Sequence, residues 1–253
     1  MRFGLIASPT EKAQSAYHEL LKHPNATENV SESDVFLVLG GDGSMLKAIH
    51  TFMGVGRPFY GMNCGSVGFL MNEYDPKHIV EKLEAATATE VHPLRATIRM
   101  TEDLTTPLLA INDVSITRQD SQAAKLRISI NGEVKMEELI GDGLVVSTPV
   151  GSTAYNRSAG GPILPLEAPL HAITPICAFR PRYWKGAIVP DNFVIDVDVL
   201  EREHRPVMIT ADNVAIKGMM GVRIESAPHK KFTILSDPGR SWSDKLLNEQ
   251  FYG

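Results

Sequence analysis

The spacing of apolar residues changes character near Pro93, and that change restricts the chain to a two-part fold. Before it, short apolar runs alternate with segments of helical spacing. "RFGLIAS" (2–8) reads as a buried strand, and "TEKAQSAYHELLKH" (10–23) as a helix capped by Thr10. "DVFLVLGG" (34–41), "SMLKAIHTFMG" (44–54) and "PFYGMN" (58–63) repeat the order strand, helix, strand. "DPKHIVEKLEAAT" (75–87) adds a helix predicted to begin at Asp75, with Pro76 in its first turn. Such alternation implies an α/β domain with a parallel sheet covered on both faces.

After Pro93 the period falls to two. "RATIRM", "LLAINDVSITR", "KLRISI" and "EVKMEEL" alternate apolar and polar residues, and Asn131-Gly132 between the last two is a strong hairpin signal. Six more short strands are predicted: "GLVVSTP", "KGAIVP", "NFVIDVDVL", "PVMITAD", "GVRIESA" and "KFTILSD". This rhythm predicts an all-β domain of β-sandwich type. The expected division is an α/β domain over 1–92 and a β-rich domain over 93–233. The last segment, about 234–253, is expected to pack back on the first domain.

Composition removes several classes of function. A hydrophobic share of 43% supports a sizeable core, yet no apolar run reaches the ~20 residues of a membrane helix. Two cysteines, Cys64 and Cys177, lack disulfide-framework or zinc spacing, so a reducing cytoplasm is the expected location. The opening residues read as a strand rather than a secretory leader. A net charge of −5 argues against nucleic-acid binding. A polyanionic ligand would have to be held locally, by glycine turns, helix ends, a few cations and a metal.

Four stretches carry chemistry. In "LVLGGDGSMLKAIH" (37–50) a strand ends at a glycine turn that opens a helix, an arrangement suited to phosphate. No Walker or GxGxxG pattern is present, and Asp42 stands in the turn itself. It is either a turn aspartate capping the helix, a magnesium ligand, or a base for a hydroxyl attacking phosphate. "GMNCGSVGFLMN" (61–72) places Asn63, Gly65 and Gly68 after a strand, where backbone can approach a ligand or simply turn. Asn112 and Asp113 break the alternation of their strand, so the chain is expected to kink or end there. The fourth, "GDGLVVSTPVGSTAYNRSAGGPIL" (141–164), gathers glycine, hydroxyl residues and Asn156 with little charge, which suits a flat polar ligand.

Together, GGDG at 40–43, NxGxxGFL at 63–70, the Asn-acid pair at 112–113 and GDGLVVSTPxGSTAYNxSxGGPI at 141–163 resemble the NAD kinase family. The resemblance implies a Rossmann-like first domain, a sandwich-type second domain, and transfer of phosphate from ATP or polyphosphate to the adenosine 2′-hydroxyl of NAD. It implies Mg²⁺ with ATP, and a homodimer or homotetramer. It assigns Asp42 as general base and puts Gly43 and Lys47 beside the dinucleotide. Asn112 and Asp113 would bind nucleotide hydroxyls. Asp142 and Thr153, Ala154, Tyr155, Asn156, Arg157 and Ser158 would line base and ribose pockets, Asn156 through its amide, and Asn213 would add another amide. The family usually carries Glu at Asp113 and Gln at Asn213. "ITPICAFRPRYW" (173–184) fits loosely and receives no ligand; Arg180 and Arg182 are either phosphate partners or surface cations, the second being the favoured reading. A lipid kinase sharing the GGDG turn and a non-catalytic NADP(H)-binding sensor are the competing functions.

Overall fold

The computed structural model describes residues 1–65, 68–102, 104–239, Lys245 and Phe251. It forms two units, Met1–Val91 with Pro165–Glu167 and Lys230–Gly253, and His92–Leu164 with Ala168–His229. The first begins with β1 (Phe3–Ala7), α1 (Glu11–Leu20), β2 (Ala26–Thr27), β3 (Val35–Gly40), α2 (Asp42–Phe52) and β4 (Phe59–Asn63). It continues with β5 (Met71–Asn72), α3 (Ile79–Ala85) and β6 (Thr87–Val91).

Strands β2, β1, β3 and β4 run parallel in that order, and every residue of β3 is buried. That follows from covered faces on both sides. Val35, Leu37 and Leu39 pack with Ala13, Ala16 and Leu20 of α1 and Ile79 and Leu83 of α3. Phe36 points to the other face, its ring 5.2 Å from Phe52 of α2 and 5.1 Å from Phe59. Burying each such side chain is worth roughly 1.5–3 kcal/mol. The two faces therefore fix where α2, and with it Asp42, must begin.

Helix boundaries differ from the sequence reading. Helix α2 starts at Asp42 rather than near Ser44. Helix α3 spans Ile79–Ala85 instead of 75–87, entered from His78. The Asp75 carboxylate engages His78, meeting its ring at 3.0 Å and accepting its backbone N–H, so it braces the residue before the helix rather than starting the helix itself. At the other end, Thr87 is drawn into β6, which pairs with another strand and overrides helical spacing.

The second unit holds β7 (Leu94–Arg99), β8 (Thr105–Ala110), β9 (Asp113–Arg118), β10 (Ala124–Ile130), β11 (Glu133–Gly141) and β12 (Gly143–Ser147). A short helix, α4 (Tyr155–Ser158), precedes β13 (Leu170–Ile176), β14 (Ala187–Pro190) and β15 (Ile195–Val199). It closes with β16 (Val207–Ala211), β17 (Val214–Lys217) and β18 (Gly221–Ser226). Two six-stranded sheets, β11-β10-β15-β18-β7-β8 and β14-β13-β12-β9-β16-β17, share one apolar cluster. Leu94 and Ile98 from the first sheet meet Val114, Ile116, Leu144 and Val146 from the second. Asn131 and Gly132 both have positive φ, as the tight β10–β11 turn requires. The run "LLAINDVSITR" breaks at Ile111–Asn112, and its halves, β8 and β9, join different sheets.

The last strand, β19 (Phe232–Ser236), belongs to the first unit's sheet, parallel to β4 and antiparallel to β6. Of the segment 234–253, only residues through Gly239, Lys245 and Phe251 are among those described. No described helix is long and apolar enough to cross a membrane.

Candidate active site

The helix-cap reading of Asp42 does not hold. Its oxygens accept the backbone N–H of Phe69 at 2.8 Å and of Leu70 at 2.9 Å, so the side chain turns away from its own helix. Burial raises the carboxyl above its ordinary pKa, while those two N–H groups and the charge of Lys245 pull it back. A Cβ on Gly68 would stand 2.7 Å from Asp42 Oδ1, so only glycine lets this loop and the carboxylate approach this closely. Gly43 and Lys47 are exposed on α2. Asn63 is spent locally in part, its Oδ1 accepting the N–H of Gly65 at 2.9 Å.

In the second unit, the break at Ile111–Asn112 is held by a residue the sequence reading missed. Asp212 accepts the backbone N–H of Ile111 (2.7 Å), Asn112 (2.9 Å) and Asp113 (3.3 Å). Its own N–H donates to the carbonyl of Asp113 at 3.1 Å. Asp212 has φ 49°, a left-handed conformation that aspartate tolerates in a hairpin turn. The expected neighbour, Asn213, is exposed. The available signal was "ADN" between two alternating runs, a turn whose first residue, not its second, does the holding.

Asp113 is 8% exposed, and its carboxyl is pushed up to about 7, first by burial and then by the charge of Asp212. The Oδ1 of Asn112 is buried with no hydrogen-bond partner among the described residues. Burial and the charges of Asp113, Cys177 and Asp142 raise the phenol of Tyr155, so these groups share one neighbourhood. Tyr155 is 40% exposed, leaving its ring accessible. Asp142 is engaged by Arg118 at 2.6 Å.

The 148–164 loop is fastened to the break. Thr148 donates its hydroxyl to the carbonyl of Ile111 at 2.7 Å and accepts the N–H of Gly151 at 3.1 Å. Gly151 lies so close to the backbone of Asn112 that any Cβ would collide with it. Asn156 needs a correction. Its side chain is fully buried and donates to the carbonyls of Ser152 (3.1 Å) and Pro162 (2.7 Å), while its Oδ1 accepts from the Thr174 hydroxyl at 2.6 Å. The amide holds the loop and is not offered to a nucleotide edge. Thr153, Ala154 and Arg157 are half-buried and Ser158 is exposed on the same loop. Arg180 and Arg182 are exposed, each guanidinium 5.7 Å from the Phe179 ring.

Residues 6–91 match the family description "ATP-NAD kinase N-terminal domain", and residues 111–235 match "ATP-NAD kinase C-terminal domain". The NAD kinase of Brucella suis is 47% identical over 247 residues, covering 97% of this chain and 95% of that protein. The NAD kinase of Rhizobium meliloti is 46% identical over 248 residues, covering 98% and 96%.

The chain belongs to the NAD kinase family.

Solved structures agree on the fold. A yeast NADH kinase complexed with NADH superposes with a TM-score of 0.82 at 20% identity, over 100% of this chain and 88% of that one. An NAD kinase from Archaeoglobus fulgidus in complex with ATP gives 0.77 at 21% identity, over 100% of both chains. Like this family, the chain joins an N-terminal α/β unit with a parallel sheet to an all-β unit.

Proposed function

We propose that this protein transfers the terminal phosphate of ATP to the adenosine 2′-hydroxyl of NAD, yielding NADP and ADP. The observation that carries this reading is the Asp42 carboxylate, half-buried in a glycine turn and fixed by two backbone N–H groups. Asp42 takes the proton as the 2′-oxygen bonds to the terminal phosphorus, and the bond from that phosphorus to the bridging oxygen of ADP breaks. A carboxylate with a raised pKa is the better base for a hydroxyl, and help of this type is worth ~10²–10⁴-fold. Gly43 and Lys47 lie beside the dinucleotide in this reading, supported by their exposure on the helix that Asp42 opens.

Asn112 and Asp113 bind nucleotide hydroxyls, supported by the Asn112 Oδ1, which has no partner among the described residues, and by the buried carboxyl of Asp113. Tyr155 stacks on a base, while Asp142, Thr153, Ala154, Arg157, Ser158 and Asn213 surround the nucleotide. Mg²⁺ brought in with ATP as substrate would supply charge neutralisation on the triphosphate. The names of the Brucella and Rhizobium relatives support the acceptor, and the ATP bound to the Archaeoglobus protein supports the donor.

Purified protein given NAD and Mg·ATP should form NADP, assayed by an NADP-specific dehydrogenase, and Asp42→Asn should not. Folded protein that makes no NADP from ATP or from polyphosphate would overturn the reading. Phosphorylation of a lipid instead would select the competing kinase.

A further inference from the structure

The backbone run that holds Asp42 is itself held from the other side. The N–H groups of Phe69 and Leu70 donate to the Asp42 carboxylate. The carbonyls of Phe69 and Met71 accept from Lys245 Nζ, at 3.1 Å and 2.6 Å. One peptide unit, Phe69–Leu70, is common to both contacts. Its plane carries the Phe69 carbonyl toward the ammonium and the Leu70 N–H toward Asp42. A trans peptide is planar, with C=O and N–H pointing oppositely, so fixing one direction fixes the other.

The run is pinned just beyond this peptide as well. Met71 and Asn72 form β5 against β4. Asn72 donates to the carbonyl of Leu235 and accepts the N–H of Asp237, both at 3.0 Å. Asp237 in turn accepts from the Tyr60 hydroxyl at 2.5 Å and from Lys82 at 2.8 Å. With Asn72 anchored, the orientation of the Phe69–Leu70 peptide is what remains to be set, and the Lys245 ammonium grips that peptide.

We propose that Lys245 is a positioning residue for the Asp42 carboxylate, acting through the Phe69–Leu70 peptide. This rests on the reading of Asp42 as the base. A charged donor on a carbonyl also polarises the attached N–H, strengthening its bond to the carboxylate. The charge acting on Asp42 is that of Lys245, and it opposes the effect of burial.

The test compares the parent with Lys245→Met, Lys245→Arg and Lys245→Gln, each given NAD and Mg·ATP. Lys245→Met should lower kcat about tenfold while KM for NAD stays within about twofold, the split expected of misplaced transition-state machinery. Its acidic limb in the kcat–pH profile should move to higher pH, because the cation that favoured the Asp42 carboxylate is gone. Without substrate, the Leu70 amide should exchange its hydrogen about tenfold faster or more. Lys245→Arg should restore all three properties. Lys245→Gln keeps donors without charge, so it should protect the Leu70 amide yet show the shifted limb; it decides the matter if Lys245→Met does not fold.

Parental turnover, limb and Leu70 exchange in Lys245→Met would overturn the proposal. So would a fall in kcat that moves neither limb nor exchange. Parental turnover in Asp42→Asn would instead remove the reading of Asp42 as base, while Leu70 exchange still reports whether Lys245 holds the peptide.

Discussion

Gly68 and Asp42 are in such close apposition that a Cβ on the glycine would stand 2.7 Å from Asp42 Oδ1. The next two backbone N–H groups after Gly68 then close on the two carboxylate oxygens. A half-buried carboxylate that is to stay charged needs such donors, because burial takes away part of its water. The negative charge in a phosphate-type turn is thus tolerated because a second loop solvates it.

Gly68→Ala is therefore expected to push the carboxylate off its donors. The neighbour that must yield is a side chain carrying two hydrogen bonds, so about 1–3 kcal/mol of stability should be lost. kcat should fall by at least ~10-fold, since the base moves relative to the hydroxyl it serves. Urea denaturation and initial rates measure the two effects; an alanine variant matching the parent in both would show that the loop has slack.

Asp42→Asn tests the base itself. Turnover should drop by roughly 10²-fold or more, with affinity for NAD nearly unchanged. The variant is not silent structurally. An amide turns one acceptor into a donor facing the N–H of Phe69 or Leu70, at a cost of about 1–3 kcal/mol. Near-normal kcat by NADP assay would sink the assignment of this residue.

Much of this architecture was readable in the chain, and the failures share one cause. The covered parallel sheet followed from continuous apolar runs such as Val35–Leu39, whose burial is complete. The Asn131-Gly132 turn and the break at Asn112 followed from local chemistry. What escaped depends on partners distant in sequence. Thr87 becomes strand because β19 is there to pair with it, and Asp212 matters because it meets N–H groups about 100 residues upstream. Asn156 was legible as important, but its polarity could not reveal that its partners were Ser152, Pro162 and Thr174 rather than a ligand.

Asn156→Ala is accordingly expected to act on stability first. It takes a donor from the buried Ser152 carbonyl and the half-buried Pro162 carbonyl and an acceptor from the Thr174 hydroxyl, and loses packing at a fully buried site. The sum should be about 2–4 kcal/mol. Chemical denaturation is the check: a variant as stable as the parent, with a raised KM for NAD, would return the amide to the ligand.

Asp113 offers the sharpest test because stability and activity should move in opposite directions. Its carboxyl titrates at about 7 in the folded protein against an ordinary 3.8. Between those values the folded chain keeps a proton that the unfolded chain has released. Stability should therefore fall as pH rises from about 4 to about 7, and stay low above. The shift corresponds to roughly 2–4 kcal/mol at pH 8, given its coupling to Asp212. Asp113→Asn removes the titrating group, so its stability should be flat through this window and exceed the parent's at pH 8. Activity should go the other way. An ionised carboxylate accepts from two ribose hydroxyls where an amide oxygen is weaker, so kcat/KM should fall ~10–100-fold, and further in Asp113→Ala. The parent's kcat/KM should also rise through about pH 7 as Asp113 ionises, a limb absent from the asparagine variant. Denaturation at pH 5 and pH 8 with parallel kinetics decides it. Equal stability at pH 8 together with parental activity would mean that Asp113 merely begins a strand.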